Sequence, residues 1–308
     1  MTTPVLGPEV LGDPSTAYRA GLIGSGITTS ASPVLHETEA AAHGVRARFA
    51  LLDLDELGHG AAVLDAVLRE TRGAGWQGVT VTHPAKQTIM PLLDEVSPAA
   101  AAIGAVNTVV FDHGRTVGHN TDWSGHARGL RTRLPGGLAD DDLRSVVLVG
   151  AGGAGSAVGH ALLTLGVEHL SVVDVDSRRA SALVATLGRR HRGRTVRATV
   201  PDDVPALLAD ATGVVNASPV GMAGHEGQPV PTSALHAGLW VNDIVYRPRR
   251  TALLVAAERA GCRVLGGGPM VALQAADGFT LLTGRRADDD RMLRTVEAAG
   301  PRGQRLSS

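Results

Sequence analysis

Short apolar runs alternate with amphipathic stretches along most of the chain. Residues 19–24, Arg19-Ala20-Gly21-Leu22-Ile23-Gly24, read as a buried strand. Ser32-Pro33 then opens a helix that closes at Gly44, with serine as N-cap and proline at the first helical position. A strand at 48–52, a helix near 60–72, a strand at 77–82 and a helix from about 85 continue the alternation. Residues 107–120 predict a hairpin turning at His113-Gly114. Residues 1–18 are polar, contain Pro and Gly, and are compatible with disorder. Strands alternating with helices predict an α/β domain with a largely parallel sheet.

A turn-rich stretch at 135–143 precedes a second α/β series. Strand Ser145–Val149 leads into a glycine loop, and a helix follows that ends near Gly166. Strand His169–Val173 ends at Asp174, a helix spans about 177–190, and strands fall near 195–199, at Gly213–Asn216 and at 240–245. The loop Gly150-Ala151-Gly152-Gly153-Ala154-Gly155 fits G-x-G-x-x-G between a strand and a helix. The first glycine permits the tight turn, the second admits a pyrophosphate to the backbone, and the third lets helix pack on strand. The diphosphate then lies at a helix N-terminus with free N–H groups. Asp174, at the end of the next strand, has the reach to bind the adenosine ribose hydroxyls. A plain tight turn explains the glycines but not the acid.

Composition narrows the partners. The 308 residues are 44% hydrophobic with 39 glycines, which fits a globular chain of two domains with many tight turns. A net charge of −1 gives no global field for nucleic acid or an anionic membrane. The basic run Arg189-Arg190-His191-Arg192-Gly193-Arg194 reads as a solvated helix end. Cys262 is the single cysteine and reads as a small core residue, so a reducing, cytoplasmic setting is expected. Neither a secretory signal nor a membrane span is expected. The 12 histidines lack ligand spacing, so no metal is expected.

Lys86 is the only lysine, every other basic position being arginine. Lysine can release its proton when its pKa is lowered, whereas arginine effectively cannot. A lone amine at a strand-to-helix junction is therefore a candidate acid–base group. The alternative is an accidental leftover of drift toward arginine.

Lys86 does not stand alone. Gly21-Leu22-Ile23-Gly24 leads to Ser30-Ala31-Ser32-Pro33-Val34-Leu35-His36, and Thr80-Val81-Thr82-His83-Pro84-Ala85-Lys86 follows. Then come Gly104-Ala105-Val106-Asn107-Thr108 and Asn120-Thr121-Asp122-Trp123-Ser124-Gly125. Beyond the glycine loop lie Asn216-Ala217-Ser218-Pro219, Asp243-Ile244-Val245-Tyr246-Arg247-Pro248 and Met270-Val271-Ala272-Leu273-Gln274. In this order and spacing the set resembles the shikimate dehydrogenase family, including its quinate/shikimate branch, over roughly residues 19–285.

The resemblance implies an α/β fold with two domains. An N-terminal α/β substrate domain spans 1–125 and is completed by 266–308, whose helices return to it. A Rossmann-type, doubly wound dinucleotide-binding domain spans 126–265. It also implies reversible hydride transfer between a nicotinamide cofactor and C3 of shikimate, quinate or their 3-dehydro forms. Lys86 and Asp122 match the catalytic pair, although Asp122 also reads as the N-cap of a helix starting at Trp123. Ser30 and Ser32 match the groups that hold the substrate carboxylate. Thr82, Asn107 and Gln274 match those that bind ring hydroxyls, and Tyr246 a substrate-facing tyrosine or a core one. Ile244 and Gly267 match positions near the nicotinamide.

Three positions depart from the common pattern: Thr80 replaces Asn, Glu37 follows His36, and Asp174-Val175-Asp176 replaces an NADP-type segment. The last two resemble the quinate/shikimate branch, so NAD is expected to be preferred over NADP. Arg178 and Arg179 oppose that expectation, since a guanidinium just past the strand is one way to accept a 2′-phosphate. An aminoshikimate-type dehydrogenase and a non-catalytic dinucleotide-binding regulator are the competing readings. Monomer and homodimer both remain open.

Overall fold

The computed structural model describes residues 4–299. The chain divides into two compact units, one of residues up to Thr121 together with those from Gln274 onward, the other Asp122–Leu273.

The first unit is built on β1 (Tyr18–Gly24), β2 (Ala47–Asp53), β3 (Gly78–Val81), β4 (Glu95–Val96), β5 (Thr108–Asp112) and β6 (Arg115–His119), in the order β2-β1-β3-β5-β6-β4. β1 pairs in parallel with β2 and β3, while β5 runs antiparallel to β3 and β6. β1 is buried along its whole length, which explains why its sequence is nearly continuous in small and apolar residues. The predicted hairpin forms between β5 and β6, and its turn puts His113 at φ 46 and Gly114 at φ 81. Helices α1 (Pro8–Leu11), α2 (Ser32–Ala42), α3 (Leu54–Leu57), α4 (Ala61–Gly73), α5 (Ala85–Thr88) and α6 (Pro98–Ile103) belong to this unit. Its core gathers Ile23, Leu52, Leu64, Val67, Val79, Val81, Ile89 and Val109.

Two expectations fail here. Within the lead-in, residues 4–17 are folded against the unit. The Glu70 carboxylate accepts from the backbone N–H groups of Val5 and Leu6, the Trp76 indole donates to the Leu11 carbonyl, and Leu6 is buried. Residues 1–3 lie outside the described residues. Ser32 is not a helix cap: the N-cap of α2 is Ala31, in helical conformation, with no side-chain cap bond. The Ser32 N–H instead meets the Ser30 hydroxyl at 3.2 Å.

The second unit opens with α7 (Asp122–Arg133), one residue earlier than the sequence pattern indicated, which puts Asp122 in the first turn. Then follow β7 (Ser145–Val149), α8 (Gly153–Leu165), β8 (His169–Val173), α9 (Ser177–Arg190), β9 (Thr195–Thr199), α10 (Val204–Ala209), β10 (Gly213–Asn216), β11 (Trp240–Asp243), α11 (Ala252–Arg259) and β12 (Arg263–Leu265). All pairings are parallel and the order is β12-β11-β10-β7-β8-β9. This is a doubly wound sheet whose order reverses between β7 and β10, the position where such sheets bind ligands. One core layer centres on Leu148, Val158, Leu162, Leu170 and Trp240, and the other on Val147, Val214, Leu239, Val241 and Leu253. Cys262 is buried there, its thiol donating to the His236 carbonyl at 3.2 Å.

Helix α12 (Gly268–Thr283) carries the chain back into the first unit, and α13 (Asp289–Ala298) ends the described chain. Phe279 meets Tyr18 edge-on at 5.5 Å, and His36 stacks on Phe49 at 4.3 Å. Burial pushes the His36 pKa down to about 3 against the opposing pull of Glu39, and burial raises that of Tyr18. The phenol therefore keeps its proton, the imidazole is neutral, and the two share a hydrogen bond of 2.7 Å between the Tyr18 hydroxyl and His36 Nδ1. Glu39, fully buried on α2, accepts from Arg291 Nε at 2.8 Å, from Nη2 at 2.9 Å and from the Asp288 N–H at 2.9 Å. Burial alone would raise the Glu39 pKa, but these donors outweigh it and hold the carboxylate ionised.

Candidate active site

The strand directions of the first unit bring several chain segments to one end of its sheet. β1, β2 and β3 are parallel, so their carboxyl ends coincide; the antiparallel turns put the start of β5 and the end of β6 at that same end. The predicted polar residues fall there in sheet order. Ser30 and Ser32 follow β1, Thr82 and Lys86 follow β3, and Asn107 immediately precedes β5; Thr121, which was not among the predicted residues, follows β6.

Each is held by identifiable bonds. Asp53, buried at the end of β2, accepts from the backbone N–H groups of Gly26 and Ile27, both at 3.2 Å, and so fixes the loop that leads to the serines. The two serine hydroxyls lie 3.1 Å apart, close enough to address one carboxylate together. Thr82 donates its backbone N–H to the Ile23 carbonyl at 2.8 Å. Thr80, the departure from the common pattern, turns its hydroxyl to the Gly21 carbonyl at 3.2 Å. Half-buried Lys86 lies on α5, and its carbonyl accepts from the Val106 N–H at 2.9 Å, tying the lysine's backbone to the segment that carries Asn107. Asn107 and Gln274 meet, Nδ2 to Oε1, at 3.4 Å.

In the second unit the cradle is backbone. A Cβ on Gly150, at φ +102, would lie 2.7 Å from the Ala217 carbonyl, and one on Gly155 would lie 2.0 Å from the Gly150 oxygen. Both glycines are required by the fold itself. A Cβ on Gly152, by contrast, meets nothing within 4 Å. The open space lies beside the N-terminus of α8, a helix of 13 residues whose first N–H groups have no intrahelical acceptor. That combination fits a dinucleotide pyrophosphate. Asp174 follows β8 with its carboxylate already engaged, accepting from the Ala151 N–H at 2.8 Å and the Asp176 N–H at 2.9 Å. Arg179 Nε lies 3.7 Å from Asp174 and 3.6 Å from Asp176, and Arg178 Nε lies 3.5 Å from Asp176.

Ile244 and Gly267 come together: a Cβ on Gly267 would lie 2.2 Å from the Ile244 oxygen. The loop after β11, which carries Ile244 and half-buried Tyr246, hangs from Asp243. Its fully buried carboxylate accepts from Asn216 Nδ2 at 2.9 Å, the Val245 N–H at 3.1 Å and the Thr251 hydroxyl at 2.6 Å. Burial raises its pKa in spite of these donors. The Arg247 guanidinium lies 5.4 Å from the centre of the Tyr246 ring. Asp122 is buried in the first turn of α7, and one turn on His126 Nε2 meets Asn242 Oδ1 at 2.9 Å. Asn242 Nδ2 donates to the Leu265 carbonyl, so its oxygen accepts and the His126 ring donates. Burial drives the His126 pKa down to about 4, with the Asn242 bond opposing.

Sequence reasoning missed Asp53, Thr121, Asp243 and Asn242. The signal available for each was a polar residue at the end of an apolar strand, where a buried side chain has to find backbone or amide partners. Among the described residues, no group of three or more His, Cys, Asp or Glu side chains is placed to hold a metal ion. No helix among them is long and apolar enough to cross a membrane.

Residues 22–109 match the model of the shikimate dehydrogenase substrate binding domain. The chain is 50% identical over 285 residues to a shikimate dehydrogenase (NADP(+)) of Streptomyces avermitilis, covering 92% of this chain and 97% of that one. It is 45% identical over 277 residues to a quinate/shikimate dehydrogenase (NAD(+)) of Corynebacterium efficiens, covering 89% and 96%. Its fold is similar to that of a quinate dehydrogenase from Corynebacterium glutamicum solved with NAD, with TM-score 0.83 and 43% identity over 91% of this chain and 99% of that one. A sheet whose polar residues sit in matching order, a glycine loop with one glycine open to solvent and these likenesses along nearly the whole chain agree: the chain belongs to the shikimate dehydrogenase family.

Proposed function

We propose that this protein is an oxidoreductase that reversibly oxidises the C3 hydroxyl of shikimate or quinate to the 3-dehydro ketone, with NAD preferred and NADP as the second acceptor. The observation that carries this reading is the gathering of Ser30, Ser32, Thr82, Lys86 and Asn107 at one end of one sheet, with Gln274 bonded to Asn107. Paired hydroxyls suit a carboxylate, neutral amides and a hydroxyl suit a polyol, and a lone amine suits proton transfer at an alcohol.

In the oxidative direction the C3–O–H bond gives up its proton and the C3–H bond its hydride. Bound nicotinamide supplies the hydride acceptor. Lys86, in its neutral form, takes the hydroxyl proton; as ammonium it returns the proton and stabilises negative charge on the C3 oxygen in the reverse direction. Asp122 is the second member of the proposed acid–base pair, its carboxylate orienting the amine. Ser30 and Ser32 anchor the ring through its carboxylate, while Thr82, Asn107, Gln274 and Tyr246 fix its face.

The relatives divide between the two cofactors, so the local residues decide. Arg179 is close to two carboxylates and Arg178 to one, which leaves both guanidiniums charge-compensated. A 2′-phosphate would have to compete with those acids and would meet Asp174 at close range. Gly152 gives the pyrophosphate its approach, with Gly150, Ala151, Gly153, Ala154 and Gly155 shaping the turn. Ile244 and Gly267 would border the nicotinamide of a bound cofactor.

Steady-state rates with shikimate, quinate and aminoshikimate, each with NAD and NADP, test the reading. The expected outcome is turnover of shikimate, quinate or both, with kcat/KM higher for NAD. No reduced cofactor from any of the three would overturn the enzyme reading, and a ratio favouring NADP would overturn the cofactor reading alone.

A further inference from the structure

Three segments of the second unit meet in the proposed chemistry: α7 carries Asp122, Ile244 directly follows β11, and Gly267 comes two residues after β12. One chain of buried side-chain bonds joins all three. His126 lies four residues after Asp122 on α7, hence on the same helix face, and is buried. Its Nε2 meets Asn242 Oδ1 at 2.9 Å, and Asn242 Nδ2 donates to the Leu265 carbonyl at 2.9 Å. Asn242 stands two residues before Ile244, and Leu265, its register partner on β12, two residues before Gly267.

Both bonds have a fixed direction. A backbone carbonyl can only accept, so Asn242 turns its nitrogen to Leu265 and its oxygen to the ring. Burial pushes the His126 pKa down to about 4, so the ring is neutral and carries one N–H, on Nε2. Nδ1 of the same ring is buried and has no hydrogen-bond partner among the described residues. The bond to Asn242 is therefore the one polar bond the ring makes there. Further along α7, a Cβ on Gly129 would lie 3.3 Å from Pro269 Cβ, so the helix also runs close to the segment after Gly267.

We propose that His126 is a positioning residue: through Asn242 it sets the place of the Asp122 carboxylate relative to the Ile244 and Gly267 segments, which would border the nicotinamide. The proposal rests on the reading of Asp122 as a member of the acid–base pair. Proton and hydride leave the same C–O–H group, so the carboxylate and the nicotinamide border must keep one spacing. A misplacement of about 1 Å at such a centre can cost on the order of 100-fold in rate. His126 acts on that spacing through the helix and the strand ends.

The test compares His126→Phe, His126→Gln and Asp122→Asn in the full-length protein, with the substrate and cofactor the parent turns over best. It reads kcat per folded protein, well below each variant's Tm, and KM for the substrate. His126→Phe keeps an aromatic ring but has no N–H for Asn242. Its kcat should fall about 10-fold while substrate KM stays within about three-fold, because Ser30 and Ser32 are untouched. His126→Gln returns an amide N–H to the place of Nε2 and should restore kcat to within about three-fold of the parent. Should His126→Phe not fold, Asn242→Ser carries the test. Its shorter side chain cannot span from the ring to the Leu265 carbonyl, and the same fall in kcat, about 10-fold, is expected. A parental kcat in folded His126→Phe or Asn242→Ser would overturn the proposal, whatever the Tm. A loss that His126→Gln does not recover, or one confined to substrate KM, would overturn it as well. Asp122→Asn separates the two failures. If it keeps the parental kcat, the reading of Asp122 falls; if it loses at least about 100-fold while His126→Phe loses nothing, only the role of His126 falls.

Discussion

In the unit built on β7–β12, the proposed ligand surface is backbone, and it is made by consecutive residues, 150–155, at the turn from β7 into α8. In the unit built on β1–β6, it is side chain, and it is drawn from the ends of separate strands and from a helix that returns more than 150 residues later, as the Asn107–Gln274 spacing of 167 records. The first kind of site tolerates little change, because a Cβ on Gly150 or Gly155 collides with main chain and one on Gly152 fills the space left for a ligand. The second can be altered one donor at a time, because each group is held by its own partners. That contrast predicts different penalties for equally small changes.

The glycine loop should show the largest effect. In Gly155→Ala the new methyl would lie 2.0 Å from the Gly150 oxygen, so the loop must deform. Cofactor affinity should fall at least about 100-fold, or the protein should fail to accumulate folded. Gly152→Ala sharpens the point, since its methyl meets nothing within 4 Å. Its Tm should match the parent to within about 2 °C while cofactor KM rises at least about 10-fold. A Gly152→Ala protein with parental cofactor KM would show that no ligand approaches this backbone.

A smaller effect, common to both units, concerns acid. His36 in one unit and His126 in the other are buried with pKa values pushed down by that burial to about 3 and about 4. The unfolded chain binds these protons at an ordinary histidine value near 6.5, the folded chain only much lower. Stability is therefore complete above about pH 6.5 and declines as the pH falls toward 4, by up to about 1.4 kcal/mol per pH unit for each ring. His126→Gln retains an amide donor for Asn242 but does not titrate. Thermal melts across this range should show a shallower slope for it, and an identical slope would mean that His126 is protonated without cost in the fold.

The same contrast explains what the sequence could reveal. The strands, the hairpin turn at His113-Gly114 and the glycine loop are local, so period, turn chemistry and spacing locate them to within a residue or two. The folded N-terminal segment is not local. Val5 and Leu6 find their acceptor on Glu70, and Trp76 finds Leu11, partners that no nearby pattern announces. Ser32-Pro33 carries the letters of a cap, yet the helix starts one residue sooner and the serine's own N–H bonds to Ser30. The site residues Ser30, Asn107 and Gln274 were legible only as a family pattern, whereas Lys86 stood out by itself as the single lysine at a strand-to-helix junction. Asp53 acts through bonds to another segment and lies in no motif, while Thr121 and Asp243 lie inside the family motifs, where nothing local marks their distant partners.

Proton transfer at Lys86 is the centre of the proposed chemistry, and turnover by Lys86→Ala and Lys86→Arg measured beside the parent tests it most directly. Loss of an acid–base group lowers kcat by at least about 100-fold, and guanidinium, which does not release its proton near neutral pH, should serve almost as poorly as alanine. KM for shikimate should change far less than kcat, because Ser30, Ser32 and Gln274 remain. A Lys86→Arg protein that turns over at the parental rate would contradict the mechanism and leave the single lysine without a chemical role.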